Sequence, residues 1–354
     1  MRIKLAILEN DTVYLNRIVS VFQAKYADKL EVYAFTEPDT AIRFLGAARV
    51  DVFLADAVFE IDMEEVPARC GVAYLVEDGD VKSYKGLEAV HKFMKIEMIY
   101  RQVLGIFSEK AADVTGTNLR GEADCKVLAF LTAAGGTGSS TAAAACAMNF
   151  AQKGKKVLYL NLERFGSADV FFCMEGSSSL GDIIYAVKGK KGNLALKLES
   201  AVKHDISGVF FYSSAKMALD VEELKLDEIQ EIISTLRMSG NYSYIILDLD
   251  FSMDREFLIL LEKCNDIIFV ADGSQVSNVK LERAIESLRI LEQQYDMKLL
   301  MRSGVLYNRF SSQTSQKADI AGLNEYGGIK RFEGFGTQKL LQQLKIQPVF
   351  DMLE

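Results

Sequence analysis

The sequence is poor in the residues that build disulfide-rich, zinc-binding or membrane-spanning proteins. Its five cysteines are odd in number and scattered, without a Cys-x-x-Cys pair, and its two histidines are His91 and His204. This pattern predicts neither a disulfide framework nor a zinc site. No apolar run reaches the length of a membrane span, and the N-terminal MRIKLAILEND is typical of a strand rather than a signal peptide. We therefore expect a cytoplasmic protein with no transmembrane segment.

Basic residues are fewer than acidic ones. The chain has 41 Lys and Arg residues against 49 Asp and Glu residues, which gives a formal net charge of -8. Proteins that bind a phosphate backbone usually carry clustered Lys and Arg, because these residues displace the counterions of the nucleic acid. The composition therefore argues against nucleic acid as a partner.

Length and composition predict two globular domains joined by a linker. The chain has 354 residues, 49% of them hydrophobic, which is enough to bury two cores of ordinary size. Residues 110–124, KAADVTGTNLRGEAD, lack hydrophobic periodicity and are rich in Thr, Gly, Asp and Ala. We predict one domain over residues 1–109, a linker over 110–124 and a second domain over 125–354.

Both predicted domains have an α/β pattern. Short apolar runs alternate with segments of helical periodicity, as parallel strands covered on both faces require. No sequence period recurs, so the two halves are not repeats of one unit. The predicted strands are IKLAILE, LEVYAF, VDVFLAD and GVAYLV in the first half, then KVLYLNL, GVFFYSS, YSYIILDLD, DIIFVAD and LMRSGVLYN in the second.

A glycine-rich turn in the second half predicts a phosphate site. In LTAAGGTGSSTAAAACAMNF, residues 131–150, a strand runs into Gly135, Gly136, Thr137 and Gly138, and a helix of small residues follows, beginning at Ser139, Ser140 and Thr141. Such a turn exposes backbone N–H groups at the positive end of a helix, which suits a polyphosphate. The glycines alone are equally compatible with an ordinary tight turn.

Two acidic residues make the phosphate site more specific. Asp248 lies at the carboxyl end of the buried strand YSYIILDLD, and Glu163 lies at the end of VLYLNLE. A carboxylate at a strand end, following a glycine cradle, commonly holds Mg²⁺ directly or through water. We therefore predict ATP and Mg²⁺ as ligands of the segment from Gly135 to Thr141, with Glu163 and Asp248 beside them.

From residue 125 onward the sequence resembles the MinD and ParA class of P-loop ATPases, whose phosphate loop follows the pattern KGGxGKT. AGGTGSS matches this pattern position by position, with Ala134 in place of the signature lysine and Ser139 in place of the phosphate-loop lysine. The resemblance implies a mainly parallel sheet, Mg²⁺ ligation by Ser140 and Asp248, and, from VLYNRF, adenine contact by Asn308. NLERFGSADVFF is similar to the DLDLQFGSA segment of the CpaE and TadZ branch, with Asn161 and Glu163 replacing two aspartates.

Residues 1–109 resemble a response-regulator receiver, a flavodoxin-like fold. Glu9 and Asp11 follow the first strand, Asp56 ends the third, and Lys92 precedes the last helix. The match is incomplete, because Asn10 replaces an acid, the switching hydroxyl is replaced by Val76 or Glu77, and the stretch between strands four and five is too short for a full helix. We expect Asp56 to be a solvated carboxylate that is not phosphorylated, and the domain to bind partners.

A degenerate receiver followed by a MinD-like domain is the arrangement of the TadZ and CpaE family of tight-adherence pilus assembly proteins. The resemblance implies a homodimeric, nucleotide-bound assembly module that other pilus components recruit to the cell pole. An active ParA-type ATPase switch, a receiver-controlled regulator and an empty pseudo-site are the alternatives. The absence of a GAFTGA-like segment or a helix-turn-helix tail argues against a transcription activator.

The missing lysines predict binding with very slow hydrolysis, because both are electrostatic groups that matter most in the transition state. Lys126 and Arg164 are the cations that the sequence places near strands feeding the site. At the end of the chain, Leu340, Leu341 and Leu344 share one face of a helix that has few basic residues. This pattern predicts a helix packed on its own domain rather than a membrane anchor.

Overall fold

The computed structural model describes residues 2–110, 125–190 and 193–354. The chain divides into two compact units, one comprising Met1–Asn118 and Ala186–Ala201, the other Leu119–Tyr185 and Val202–Glu354. Nearly all of the predicted linker, residues 110–124, lies outside the described residues. The first unit thus includes residues 186–201 from within the predicted second domain, which no local pattern indicated.

The first unit is built on a six-stranded sheet. Its strand order is β2-β1-β3-β4-β6-β5, parallel except for the β5–β6 pair. The first five positions have the doubly wound order in which ligand sites form between the carboxyl ends of β1 and β3. The elements are β1 (Ile3–Leu8), α1 (Thr12–Lys25), β2 (Leu30–Phe35), α2 (Pro38–Ala47), β3 (Val52–Asp56), β4 (Gly71–Val76), β5 (Ser83–Tyr84), β6 (Leu87–His91) and α3 (Ile96–Lys110).

Two helices of a complete receiver are replaced by other structure. Residues 77–86, between β4 and β6, hold only the short strand β5, as the length of this stretch predicts. Residues 57–70, between β3 and β4, also contain no helix, which the sequence analysis did not anticipate. This second stretch carries Glu64 and Glu65 side by side and Pro67, which has no N–H to donate within a helix.

The segment that joins the first unit ends in helix α7 (Leu194–Ala201). This helix packs against α3, and its Leu196 belongs to the core formed with α1, α3 and the sheet. Its Glu199 pairs with Lys29 at 2.6 Å. A Cβ added to Gly105 on α3 would meet Ser200 at 3.9 Å, an ordinary packing distance.

The second unit contains an eight-stranded sheet of order β14-β13-β12-β7-β11-β8-β10-β9. All of its pairs are parallel except β10–β9. The strands are β7 (Lys126–Leu131), β8 (Val157–Asn161), β9 (Lys203–His204), β10 (Phe210–Phe211), β11 (Tyr244–Asp248), β12 (Asp266–Ala271), β13 (Ser303–Phe310) and β14 (Asn324–Lys330). The helices, besides α7, are α4 (Ser139–Gln152), α5 (Ala168–Phe171), α6 (Leu180–Gly189), α8 (Ala218–Glu222), α9 (Leu226–Met238), α10 (Arg255–Glu262), α11 (Gln275–Tyr295) and α12 (Thr337–Leu344), with 3-10 turns at Leu300–Arg302 and Pro348–Leu353.

Helix α4 is the central packing element of the second unit. Every residue from Ala142 to Ala147 is fully buried, because α4 lies between the sheet and α12 and only small side chains fit there. The facing side of α12 buries Leu341 and Leu344, and Leu340 packs partly against the same core. The prediction that this last helix packs on its own domain is therefore confirmed. In the described part of the chain, no helix is both long and apolar enough to cross a membrane.

Candidate functional site

The predicted phosphate loop joins the end of β7 to the start of α4. Strand β7 is central, with β11 on one side and β12 on the other, so the loop leaves the sheet at a point where the strand order reverses. Gly136 and Gly138 have φ angles of 81° and 82°, a left-handed conformation that glycine adopts without strain. The hydroxyl of Thr137 donates to the hydroxyl of Thr132 at 3.0 Å, and Thr132 donates in turn to the carbonyl of Ala134.

The end of β13 holds the loop from its other side. The side-chain amide of Asn308 donates to the carbonyl of Thr137 at 2.9 Å and lies 3.4 Å from that of Gly138. The guanidinium of Arg309 donates to the carbonyl of Gly136 at 2.8 Å. A Cβ added to Gly138 would come within 2.6 Å of the Asn308 amide nitrogen. A larger residue at Gly138 would therefore disturb the loop itself before it could meet any phosphate.

Asp248, at the carboxyl end of β11, is a fully buried acid beside this loop. One of its carboxylate oxygens accepts from the Tyr159 hydroxyl at 2.6 Å and from the Asn161 amide at 2.9 Å. The other oxygen is buried and has no hydrogen-bond partner among the described residues. Burial, and then the nearby charge of Glu163, raise the pKa of Asp248 well above its ordinary value. No Lys or Arg forms an ion pair with Asp248 among the described residues, so its ionised form is not compensated there.

Glu163 connects Asp248 to the phosphate loop. It lies two residues beyond the end of β8, not within the strand as the sequence suggested. Its carboxylate accepts from the Ser140 hydroxyl at 2.9 Å, from the Asn161 amide at 2.8 Å and from the Ser167 hydroxyl at 3.3 Å. Ser140 and Asp248, the residues predicted to hold Mg²⁺, are thus brought together with Glu163.

The arrangement fits a nucleotide triphosphate with a divalent cation. Ser139, in place of the family's lysine, has a buried hydroxyl without a partner in the described structure, and Ala134 is buried. Cβ atoms added to Gly135 and Gly136 would meet nothing within 4 Å, so the loop borders open space. Thr141 lies in the first turn of α4, where N–H groups have no partner within the helix.

The two cations expected near this site have other partners. Lys126 is at the opposite, amino end of β7, where its ammonium donates to the carbonyl of Glu354 at 2.7 Å. Arg164 pairs with Glu222 at 3.5 Å and with Asp250 at 3.7 Å. Arg309 contacts the loop instead, although no sequence pattern pointed to it. Its only signal in the sequence is that it follows Asn308 in VLYNRF.

The receiver residues form a separate site in the first unit. Lys92 lies 3.0 Å from the carboxylate of Glu9 and 2.9 Å from that of Asp56, and all three side chains are at least 95% buried. Asp56 is therefore ion-paired, and the expectation that it is solvated is wrong. Asp11 instead caps α1 by accepting from the N–H groups of Val13 and Tyr14.

The acids of this site differ in their affinity for protons. Burial and the hydrogen bond with Asp56 raise the pKa of Glu9 above its ordinary value. Burial also acts to raise the pKa of Asp56, but its hydrogen bonds with Glu9 and Lys92 outweigh this effect and lower that pKa. Asp56 thus holds the negative charge that Lys92 neutralises.

Solved structures with the same fold define the class of the second unit. One is a ParA family ATPase from Chlorobium tepidum, with 21% identity and a TM-score of 0.53, covering 66% of this chain and 99% of that one. Another is the MinC:MinD cell division complex from Aquifex aeolicus, with 19% identity and a TM-score of 0.51, covering 64% of this chain and 93% of that one. The fold is that of the ParA and MinD proteins. No curated protein matches the sequence.

The first unit matches a known family model. Residues 1–108 match the family model described as "TadZ-like, receiver domain". The chain thus joins a receiver domain similar to that of the TadZ-like proteins to a domain of ParA and MinD fold, which is the combination that the sequence predicted. The predicted α/β fold class and the predicted family resemblance are both confirmed.

Proposed function

We propose that the second unit binds ATP with Mg²⁺ at the segment from Gly135 to Thr141. The observation that carries this proposal is the partnerless, fully buried carboxylate oxygen of Asp248 beside Glu163 and Ser140. Holding two carboxylates in one hydrogen-bond network without a cation raises the free energy of the folded protein. A divalent ion bound between them would offset this cost. The ParA and MinD fold supports the choice of nucleotide, since a structure with this fold is described as an ATPase.

Each residue has a defined role in this proposal. The backbone amides of the loop and the amino end of α4 would hold the phosphates. Ser140 and Asp248, with Glu163 beside them, would hold Mg²⁺, which supplies positive charge to the phosphates when bound. Asn308 already uses its amide nitrogen to hold the loop, so its proposed adenine contact would be made from a side chain fixed in place.

We further propose that the protein is a dimeric scaffold in the assembly of a tight-adherence pilus, brought to the cell pole by other pilus components. The TadZ-like receiver domain supports this role. The replacement of the switching hydroxyl by Val76 or Glu77 favours partner binding over phosphorylation control, because no hydroxyl is present there to respond to a phosphoryl group.

Isothermal titration calorimetry with ATP and Mg²⁺ tests the binding site. We expect binding by the wild-type protein and a loss of at least about tenfold in affinity for Asp248→Ala, since a charged partner buried at the site is removed. The control is Asp266→Asn, a partly buried acid at the amino end of β12, on the opposite edge of the sheet. Absence of binding at millimolar ATP would favour the empty pseudo-site.

A single-turnover measurement tests the proposed slow hydrolysis. Negative charge that develops on the γ-phosphate would be stabilised by backbone amides, the amino end of α4 and Mg²⁺. The two lysines of the family pattern would not contribute. Loss of one well-placed transition-state donor slows chemistry by roughly a hundred- to a thousandfold. Hydrolysis at about one per second or faster, abolished by Asp248→Ala, would instead support an active ATPase switch.

A further inference from the structure

The phosphate loop is fixed through its carbonyl groups. Three consecutive carbonyls, those of Gly136, Thr137 and Gly138, are approached by side-chain donors from Asn308 and Arg309. In a planar trans peptide, the C=O of one residue and the N–H of the next point in opposite directions. Holding these carbonyls therefore turns the N–H groups of Thr137, Gly138 and Ser139 to the opposite side of the loop, toward any bound anion.

The backbone at Asn308 and Arg309 is irregular in a way that explains this contact. Successive side chains on a regular strand point to opposite faces, so neighbouring residues do not normally reach the same target. The register between β13 and β14 shifts between Tyr307 and Phe310. Arg309 has a φ of 55°, a left-handed conformation that is uncommon for a residue other than glycine. Bulges of this kind re-aim side chains next to functional sites.

Arg309 also brings a positive charge close to the phosphate loop. It is exposed, and its guanidinium nitrogen Nε lies 3.7 Å from the position of a Cβ added to Gly138. Within the described residues, no carboxylate forms an ion pair with it. None of the described residues therefore neutralises its charge, and it lies next to a loop in which Ala134 and Ser139 occupy the two lysine positions of the family pattern.

We propose that Arg309 is a positioning residue. Together with Asn308, it holds the phosphate loop in its anion-accepting form before a nucleotide arrives, and it places a fixed positive charge beside the polyphosphate. The inference rests on the proposed nucleotide site, and it adds a residue outside the phosphate-loop motif that prepares that site.

Hydrogen exchange of the nucleotide-free protein tests the positioning role without relying on binding. We expect Arg309→Ala to speed exchange of the amides from Gly136 to Ser140 by about tenfold, because a charge-assisted hydrogen bond that restrains the loop is lost. Arg309→Lys, which can still donate to the Gly136 carbonyl, should restore most of the protection. Exchange in β11 should stay unchanged, which checks that each variant is folded.

The matched control is Arg331→Ala, which removes an exposed arginine that pairs with Glu333. Equal loop exchange in the wild-type protein, Arg309→Ala and Arg331→Ala would overturn the proposal. Calorimetry with ATP and Mg²⁺ then measures the effect on nucleotide affinity. We expect Arg309→Ala to bind about tenfold more weakly and Arg309→Lys to recover most of the affinity. If the loop loosens but the wild-type protein binds no ATP, the positioning role stands and only the proposed nucleotide function fails.

Discussion

At the scale of single residues, we expect Asp248 to favour ligand binding and to lower the stability of the nucleotide-free protein at neutral pH. Because its pKa is raised in the folded protein, the native state holds this proton more tightly than the unfolded chain. Its contribution to stability therefore falls as the pH rises above the ordinary value of 3.8, and is lost above the raised pKa. We expect Asp248→Asn, which cannot ionise, to stabilise the nucleotide-free protein at neutral pH by about 1–3 kcal/mol.

Thermal unfolding of the wild-type protein and the variant between about pH 4 and pH 8 measures this difference, which should shrink toward the acidic end. Asp266→Asn is the matched variant: because burial also raises the pKa of Asp266, it should show the same pH trend in stability but leave ATP binding unchanged. The same Asp248→Asn variant should bind ATP with Mg²⁺ more weakly. A variant less stable than the wild type at neutral pH would contradict the assignment of Asp248 as an uncompensated acid.

At the scale of elements, α7 belongs to the first unit although it lies within the predicted second domain. Leu196 is buried in the core of the first unit, between α7, α3 and the neighbouring helices. We expect Leu196→Ala to destabilise that unit by about 2–5 kcal/mol, because the substitution leaves a cavity. Chemical denaturation of the full chain, followed by hydrogen exchange in β1, β3 and β4, measures the loss.

A second substitution on the same helix separates packing from charge. Glu199→Gln removes the ion pair with Lys29, which is partly exposed, and surface pairs contribute under about 1 kcal/mol. It should therefore have little effect on the first unit. If Leu196→Ala loosened only the second unit, α7 would not be a structural part of the receiver.

At the scale of the whole molecule, we expect a homodimer that depends only weakly on ATP. Closed two-fold dimers are the commonest oligomers, and the family resemblance implies dimerisation. Ala134 has no amine with which to contact a nucleotide in a partner subunit, so association would depend on side-chain surface. Light scattering with and without ATP should give the dimer mass in both cases. A monomer at high concentration under both conditions would refute the expectation.

The sequence alone determined the features that depend on neighbouring residues. Apolar runs separated by helical periodicity predicted two α/β domains, and the glycines from Gly135 to Gly138 predicted the loop between β7 and α4. Strand ends could be located from the same runs, so Asp56 and Asp248 were correctly placed at the carboxyl ends of β3 and β11. These predictions succeed because hydrophobic period and turn chemistry act over a few residues.

Only the tertiary structure decided the contacts between residues far apart in the chain. Asp56 is ion-paired because folding brings it to Lys92, 36 positions later, and α7 joins the first unit although it follows the loop in sequence. Arg309 reaches the loop because of a bulge against β14, whose register no local pattern specifies. In each case the side chain's environment is set by which elements pack together, and that choice depends on the free energy of the whole fold rather than on the segment itself.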